Sequence, residues 1–218
     1  MGFEINLMRN YPKTKRDPEA RGAEKTEEDR AIARQFGKEF FDGNRRYGYG
    51  GYSYNPRFWQ PVIPDFISYY SLNEKSSVLD IGSGKGFMLH DFIEAIPGIK
   101  VRGIDISSYA IENSLEDVKP FQQIADAKDL PFENNSFDLA ISIVTLHNLE
   151  REECGQALRE VERVSRNAFI TLDAYSNEKE RIAMEAWNLT ALTVMHVDEW
   201  KEFFAKNGYT GDYYWFKP

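Results

Sequence analysis

A single cysteine, Cys154, stands in 218 residues. It excludes an internal disulfide and a cysteine-rich metal site, and no metal is expected. Long apolar runs are missing: nothing approaches the ~20 residues that a membrane helix needs, so no membrane partner is expected. The N-terminus, MGFEINLMRNYPKTKR, lacks the apolar core and small-residue cleavage site of a secretory signal. A cytoplasmic location follows as the expectation. Repeats and low-complexity tracts are absent too, apart from one Tyr/Gly-rich stretch. Positive charge is in deficit. With 27 Lys and Arg against 35 Asp and Glu, the net charge is -8. Nucleic-acid binding relies on concentrated basic residues, so no nucleic-acid partner is expected. No Asn-Pro-Pro-Tyr-like motif follows the fourth expected strand, where base-directed enzymes often carry one.

What is present suits one large globular domain, with 42% hydrophobic and 28% charged residues. The charge is uneven. Between Arg9 and Arg46 there are eleven Lys or Arg and eight Asp or Glu, a local +3, so the rest of the chain carries -11. That segment reads as a solvated helical face or as a basic rim for an anionic substrate, with Lys13, Lys15, Arg16, Arg45 and Arg46 as candidates.

Residues 1–25 are polar, with Pro12 and Pro18, and read as an irregular arm. Thr26, followed by three acids, marks a helix start. Ile32, Phe36 and Phe40 then recur at helical spacing until Gly43. From residue 76 strands and helices alternate: SSVLDIGSG, VRGIDIS, PFQQIADA, FDLAISIV and NAFITLDAY are strands, and Glu152 to Arg163 is a helix with Ala157, Leu158, Val161 and Val164 inward. Residues 177–195 look helical. Asp198 can cap a further helix ending at Gly208, and TGDYYWF is a last strand. Strands apolar on both faces, in β-α-β order, imply an α/β Rossmann-like open sheet. The expected sheet is mostly parallel, has about six or seven strands with helices on both faces, and carries an N-terminal helical cap. The division is residues 1–60 (arm, helix and Tyr/Gly-rich lid) and 61–218 (the Rossmann-like ligand-binding domain).

Val78-Leu79-Asp80-Ile81-Gly82-Ser83-Gly84-Lys85-Gly86 is a strand, a glycine turn and a helix start. Turns without side chains let backbone amides approach a polar ligand. A dinucleotide site shows Gly-x-Gly-x-x-Gly, whereas the third glycine here comes one residue early. Asp80 suits a ligand with an amino group. Asp105 ends the second strand and can accept from both hydroxyls of a ribose. Asp126 follows the third and can accept from an adenine amino group. Acids at three successive strand ends converge on one crevice.

VLDIGSGKGF, GIDIS, ADAKDLPFENNSFDLAIS and the later EFFAKNGY resemble the successive motifs of class I S-adenosylmethionine-dependent methyltransferases, over roughly residues 70–210. The whole chain looks like a bacterial small-molecule subgroup of them. The resemblance implies S-adenosyl-L-methionine as cofactor, with Gly82, Gly84 and Gly86 on its methionine portion. It also implies Asp105 on the ribose, Asp126 and Ala127 at the adenine edge, and Ile106 on the adenine ring. Ile143, at the end of the fourth strand, completes the cofactor set. The chain end is short for the family's usual closing strand pair.

Methyl transfer needs alignment, plus a base if the nucleophile arrives protonated. His147, just after the fourth strand, is the candidate base, with a loop-anchoring histidine as the alternative. Asn148 either orients substrate or caps the next helix. Asp173 and Tyr175 are further candidates, while His90 and His196 read as structural. Tyr47-Gly48-Tyr49-Gly50-Gly51-Tyr52-Ser53-Tyr54 reads as a lid over the cofactor or as a packed aromatic joint. Tyr49 and Tyr52 are its catalytic candidates. The expected enzyme is a methyltransferase acting on an O or N nucleophile of a small molecule. Two alternatives stay open: an enzyme that uses S-adenosylmethionine itself as substrate, giving methylthioadenosine, and a non-catalytic binding subunit. A homodimer is also compatible.

Overall fold

The computed structural model describes residues 2–13, 17–23, 25–50 and 52–217. Lys15, Arg16 and Gly51 lie outside the described residues.

Five short helices open the chain: α1 (Pro18–Ala23), α2 (Glu27–Ala33), α3 (Lys38–Asp42), α4 (Pro56–Trp59) and α5 (Ile63–Tyr70). Strands and helices then alternate: β1 (Ser77–Ile81), α6 (Phe87–Ala95), β2 (Lys100–Asp105), α7 (Ser108–Glu112), β3 (Gln122–Ile124), β4 (Leu139–Ile143), α8 (Arg151–Val164), β5 (Ala168–Tyr175), α9 (Glu178–Trp187), β6 (Met195–His196), α10 (Val197–Asn207) and β7 (Asp212–Phe216). The sheet order is β3-β2-β1-β4-β5, and β5 pairs on its outer side with β6 and β7. Every pairing is parallel, including Phe169↔Asp212 through Asp173↔Phe216. The sheet is therefore the expected Rossmann-like α/β arrangement. Its far edge is covered by one parallel strand and the two-residue β6.

Alternation sends successive side chains of each strand to opposite faces. Leu79, Ile81, Ile104, Ile170 and Leu172 pack on α8 and α10, with Trp200 and Phe204 fully buried. Val78, Val101, Leu139 and Phe169 pack on α5 and α6 through Phe66, Leu89 and Phe92. This sandwich leaves the carboxyl ends of β1, β2, β4 and β5 to form one crevice, the usual ligand position in an open α/β sheet.

Four expectations are corrected. The arm is not irregular throughout. Residues 3–5 bind the outer edge of β7, with Ile5 N–H donating to Tyr213 O at 2.9 Å and Tyr213 N–H to Phe3 O at 3.1 Å. The arm's α1 packs on α9, where Gly22 meets Ala186. The single helix over 26–43 is two, broken where Phe36 adopts φ +48. Its start is as expected, with a Thr26–Asp29 capping box. The stretch 177–195 is helical only to Trp187, and His196 rather than Asp198 caps α10. Among the described residues, no helix is long and apolar enough to cross a membrane.

Candidate active site

All three motif glycines have positive φ: +82 at Gly82, +53 at Gly84 and +78 at Gly86. Glycine alone adopts this region freely. Each has a different neighbour. A Cβ on Gly82 would lie 2.2 Å from Thr145 Oγ1, at the tip of β4. A Cβ on Gly86 would lie 2.5 Å from Val118 Cγ2, which makes Gly86 a packing glycine that does not line the crevice. Gly84 faces open space, with only Phe41 of α3 at 3.4 Å.

Asp80 lies at the end of β1 and is 6% exposed. Among the described residues its carboxylate has no hydrogen-bond partner. Burial, and secondarily Asp105, push its pKa up to about 7. Asp105 is 8% exposed. Its Oδ2 accepts from Gly84 N–H at 2.8 Å and its Oδ1 from Ser107 N–H at 2.8 Å. Burial raises its pKa although these bonds and the Ile106 amide pull the other way. Asp126 is more open; its Oδ1 accepts from Lys128 N–H at 2.9 Å and its Oδ2 lies 3.5 Å from Lys128 Nζ. Ile106 is 58% exposed beside Asp105, and Ala127 and Ile143 line the same space. A buried carboxylate without a counter-charge, a turn wall without side chains and an exposed apolar residue beside a second acid fit a ligand with an ammonium, a polyol and a flat ring. S-adenosylmethionine has all three.

The space is one cavity of about 1390 Å³, bounded by the strand tips, the glycine turn, residues 4–13, the cap and the end of β7. A smaller cavity of about 490 Å³ lies at the opposite, amino ends of β5 and β7 and touches none of these residues. The cap bridges the crevice from both sides. Lys85, in the glycine turn, donates to Asp42 at 2.5 Å and to Tyr52 O at 2.9 Å. Ser107 Oγ donates to Phe36 O at 2.5 Å, and Tyr54 OH donates to Asp91 on α6 at 2.5 Å.

The three catalytic candidates sit in different surroundings. His147 is 3% exposed and lines the cavity. Its Nδ1 accepts the Asp173 backbone N–H at 2.9 Å, and its own carbonyl accepts from Leu192 and Thr193 N–H at 2.9 Å each. An accepting Nδ1 places the ring proton on Nε2, and burial lowers the pKa to about 3. The ring therefore anchors the tips of β4 and β5, with its Nδ1 also 3.8 Å from Asp173 Oδ1. Tyr49 also lines the cavity, but its hydroxyl accepts from Leu189 N–H at 2.8 Å and its ring stacks on Trp187 at 6.0 Å. Burial, then Asp173, raise its pKa. Tyr49 thus fastens the Tyr/Gly-rich stretch to the segment after α9. Tyr52 does not line the cavity, and its hydroxyl is buried without a partner. Asn148 does not cap α8, whose cap is Glu150; its buried Oδ1 lacks a partner and it lines the cavity. Asp173, 4% exposed, lines it as well. His90 pairs with Asp117 away from the cavity. Among the described residues, no group of His, Cys, Asp or Glu is arranged to hold a metal.

Sequence reasoning missed Thr145, whose approach dictates Gly82, and Val144, a β-branched residue at φ +48 lining the crevice. It also missed Arg34, whose only signal was the charge surplus of residues 9–46.

A glycine turn and strand-end acids in an all-parallel α/β crevice define a nucleoside-binding enzyme domain. Residues 79–168 match the family model described as "Methyltransferase domain", consistent with the class I S-adenosylmethionine-dependent methyltransferases that the motifs resemble, and the match supports S-adenosylmethionine as cofactor. A relative in mouse (Mus musculus), the mitochondrial arginine-hydroxylase NDUFAF5, is 40% identical over 70 residues, covering 32% of this chain and 20% of that protein. The tRNA (carboxymethyluridine(34)-5-O)-methyltransferase of Arabidopsis thaliana is 32% identical over 143 residues, 64% of this chain and 33% of that protein. The chain thus spans a fifth to a third of these curated relatives. In fold it is similar to phosphoethanolamine N-methyltransferase 2 of Haemonchus contortus, solved with S-adenosyl-L-methionine. That likeness has a TM-score of 0.58 at 19% identity, over 81% of this chain and 44% of that one.

Proposed function

We propose that this protein transfers the methyl group of S-adenosylmethionine to an oxygen or nitrogen of a small molecule in the cytoplasm. The observation that carries this reading is the continuous cavity of about 1390 Å³ at the strand tips. It exceeds the ~300–1,000 Å³ of a typical one-ligand pocket, and so has room for cofactor and acceptor together. Its roof is formed by residues of the cap, including Phe36, Phe40 and Phe41. An acceptor end roofed by aromatic side chains suits a compact molecule better than the tRNA for which the Arabidopsis relative is named.

When bound, the cofactor supplies a methyl on a sulfonium, open to in-line displacement. The chain's residues hold the geometry. Asp80 faces the ammonium, and the unused lone pairs of Asp105 accept from the ribose hydroxyls. Asp126 takes the adenine amino group, while Ile106, Ala127 and Ile143 wall the ring. Gly82 and Gly84 leave space for the methionine portion. Charge is dispersed in this reaction, so position contributes more than electrostatic stabilisation. Asn148 and Asp173 both line the cavity; Asn148 Oδ1 would orient the acceptor and the Asp173 carboxylate would take its proton. Lys85, tied to Asp42 and Tyr52, closes the crevice against water.

The test is product analysis by mass spectrometry after incubation with S-adenosylmethionine and a panel of small alcohols, phenols and amines. S-adenosylhomocysteine formed only with a small acceptor supports the reading. Methylthioadenosine formed without an acceptor, or turnover only with tRNA, contradicts it.

A further inference from the structure

The cap brings positive charge to the cavity that no carboxylate among the described residues answers. Arg34 and Arg45 both line it, and neither makes an ion pair among the described residues. Arg34 follows the last turn of α2, and its Nε is buried without a hydrogen-bond partner. Among the described residues Arg45 reaches only a backbone oxygen, with Nη1 3.5 Å from Gly48 O. Behind them, Arg21 donates from Nη2 to the same carbonyl at 3.2 Å, and its Nε is buried without a partner. Lys25 donates to Trp187 O at 3.2 Å.

The neighbouring acids are already engaged. Asp29 takes Arg46 at 2.6 Å, which removes Arg46 from the candidates. Glu27 takes Arg30 at 2.6 Å, and Asp42 takes Lys85 at 2.5 Å. The Lys25 ammonium shows the effect. Burial first, then Arg21, Arg30 and Arg45, push its pKa down to about 7. Concentrated cations without counter-ions are costly in a partly desolvated site, and an oxyanion removes that cost.

The cavity is also divided by element. Its carboxylates Asp80, Asp105, Asp126 and Asp173 come from at or near strand ends and Glu4 from the arm, whereas Arg34 and Arg45 come from the cap. An acceptor carrying a negative charge is repelled by the first group and drawn to the second, which fixes its orientation.

We propose that Arg34 and Arg45 form an oxyanion subsite in the acceptor end of the cavity, so that the methyl acceptor carries a carboxylate or phosphate group. This rests on the methyltransferase reading and narrows its substrate class. A guanidinium offers a planar fork that matches either group with two parallel hydrogen bonds.

Isothermal titration of the full chain saturated with S-adenosylhomocysteine tests it. Inorganic phosphate and benzoate are the probes, at constant ionic strength, with benzyl alcohol as the uncharged control. The wild type is expected to bind at least one anion and not the alcohol, and the preferred probe distinguishes phosphate from carboxylate. Arg34→Gln and Arg45→Gln should each weaken anion binding about tenfold or more, and Arg34→Lys, which keeps the charge and loses the fork, by less. S-adenosylhomocysteine affinity should stay within about twofold in all three variants, which also shows that they fold. Wild-type protein that takes S-adenosylhomocysteine but neither anion overturns the subsite alone, as do Gln variants that bind anions like the wild type. Failure to bind S-adenosylhomocysteine removes the methyltransferase reading itself.

Discussion

Replacing Asp80 by Asn separates the burial of a charge from the recognition of a ligand. The carboxyl lies at the β1 tip with its pKa raised from 3.8 to about 7, by burial first and by Asp105 second. At 1.36 kcal/mol per pH unit, ionising it in the unliganded protein costs on the order of 4 kcal/mol. The folded pKa lies above the unfolded one, so the folded chain holds the extra proton between these values. The protonated group's contribution to stability is full below about pH 4 and is lost as pH rises through about 7. A ligand ammonium beside Asp80 favours the ionised form and reverses the sign for binding. Below about pH 7 the affinity for S-adenosylhomocysteine should rise about tenfold per pH unit, then level off. Calorimetry near pH 6, in two buffers of different ionisation heat, reads the released proton directly. Asp80→Asn should melt higher than wild type at about pH 8, and its binding should be weaker and pH-independent. A wild-type affinity constant from about pH 5.5 to 8 would refute the reasoning, and so would an Asn variant with the same slope.

Two other substitutions separate positioning from chemistry. His147→Ala leaves a cavity and strips the Asp173 amide of its acceptor, so thermal denaturation should show a loss of roughly 3 kcal/mol. A variant as stable as wild type but inactive would restore His147 as the base. Asp173→Asn should lower turnover on a protonated acceptor by about 100-fold, with little change in S-adenosylhomocysteine affinity by titration. Equal turnover would exclude Asp173 from proton transfer.

The strand tips were legible in the sequence because two short-range regularities coincide there. Strands buried on both faces read as apolar runs, and the acid or glycine that ends each run stands out against it. Asp80, Asp105 and Asp126 therefore fall on or just after the ends of β1, β2 and β3. What stayed hidden depends on contacts distant in sequence. Phe36 sits at a helical recurrence, and only its left-handed backbone, with its carbonyl bonded to Ser107, breaks α2 from α3. Residues 3–5 read as polar arm, because the strand they lie beside is more than 200 residues away. The anchoring contacts of His147 and Tyr49 were hidden for one reason. Each is fixed by a backbone N–H from another segment, Asp173 or Leu189. Composition and spacing carry no trace of such a bond. Gly86 was grouped with its neighbours by motif, although Val118 and Gln122 occupy the space beside it.

Calorimetric titration with S-adenosylhomocysteine, on the wild type and on Asp105→Ala, asks most directly whether the strand tips embrace an adenosyl ligand. One site per chain is predicted, with affinity falling by about tenfold or more in the variant, whose ribose hydroxyls lose their acceptor. No heat with the wild type, or equal affinity in the two proteins, would contradict the account.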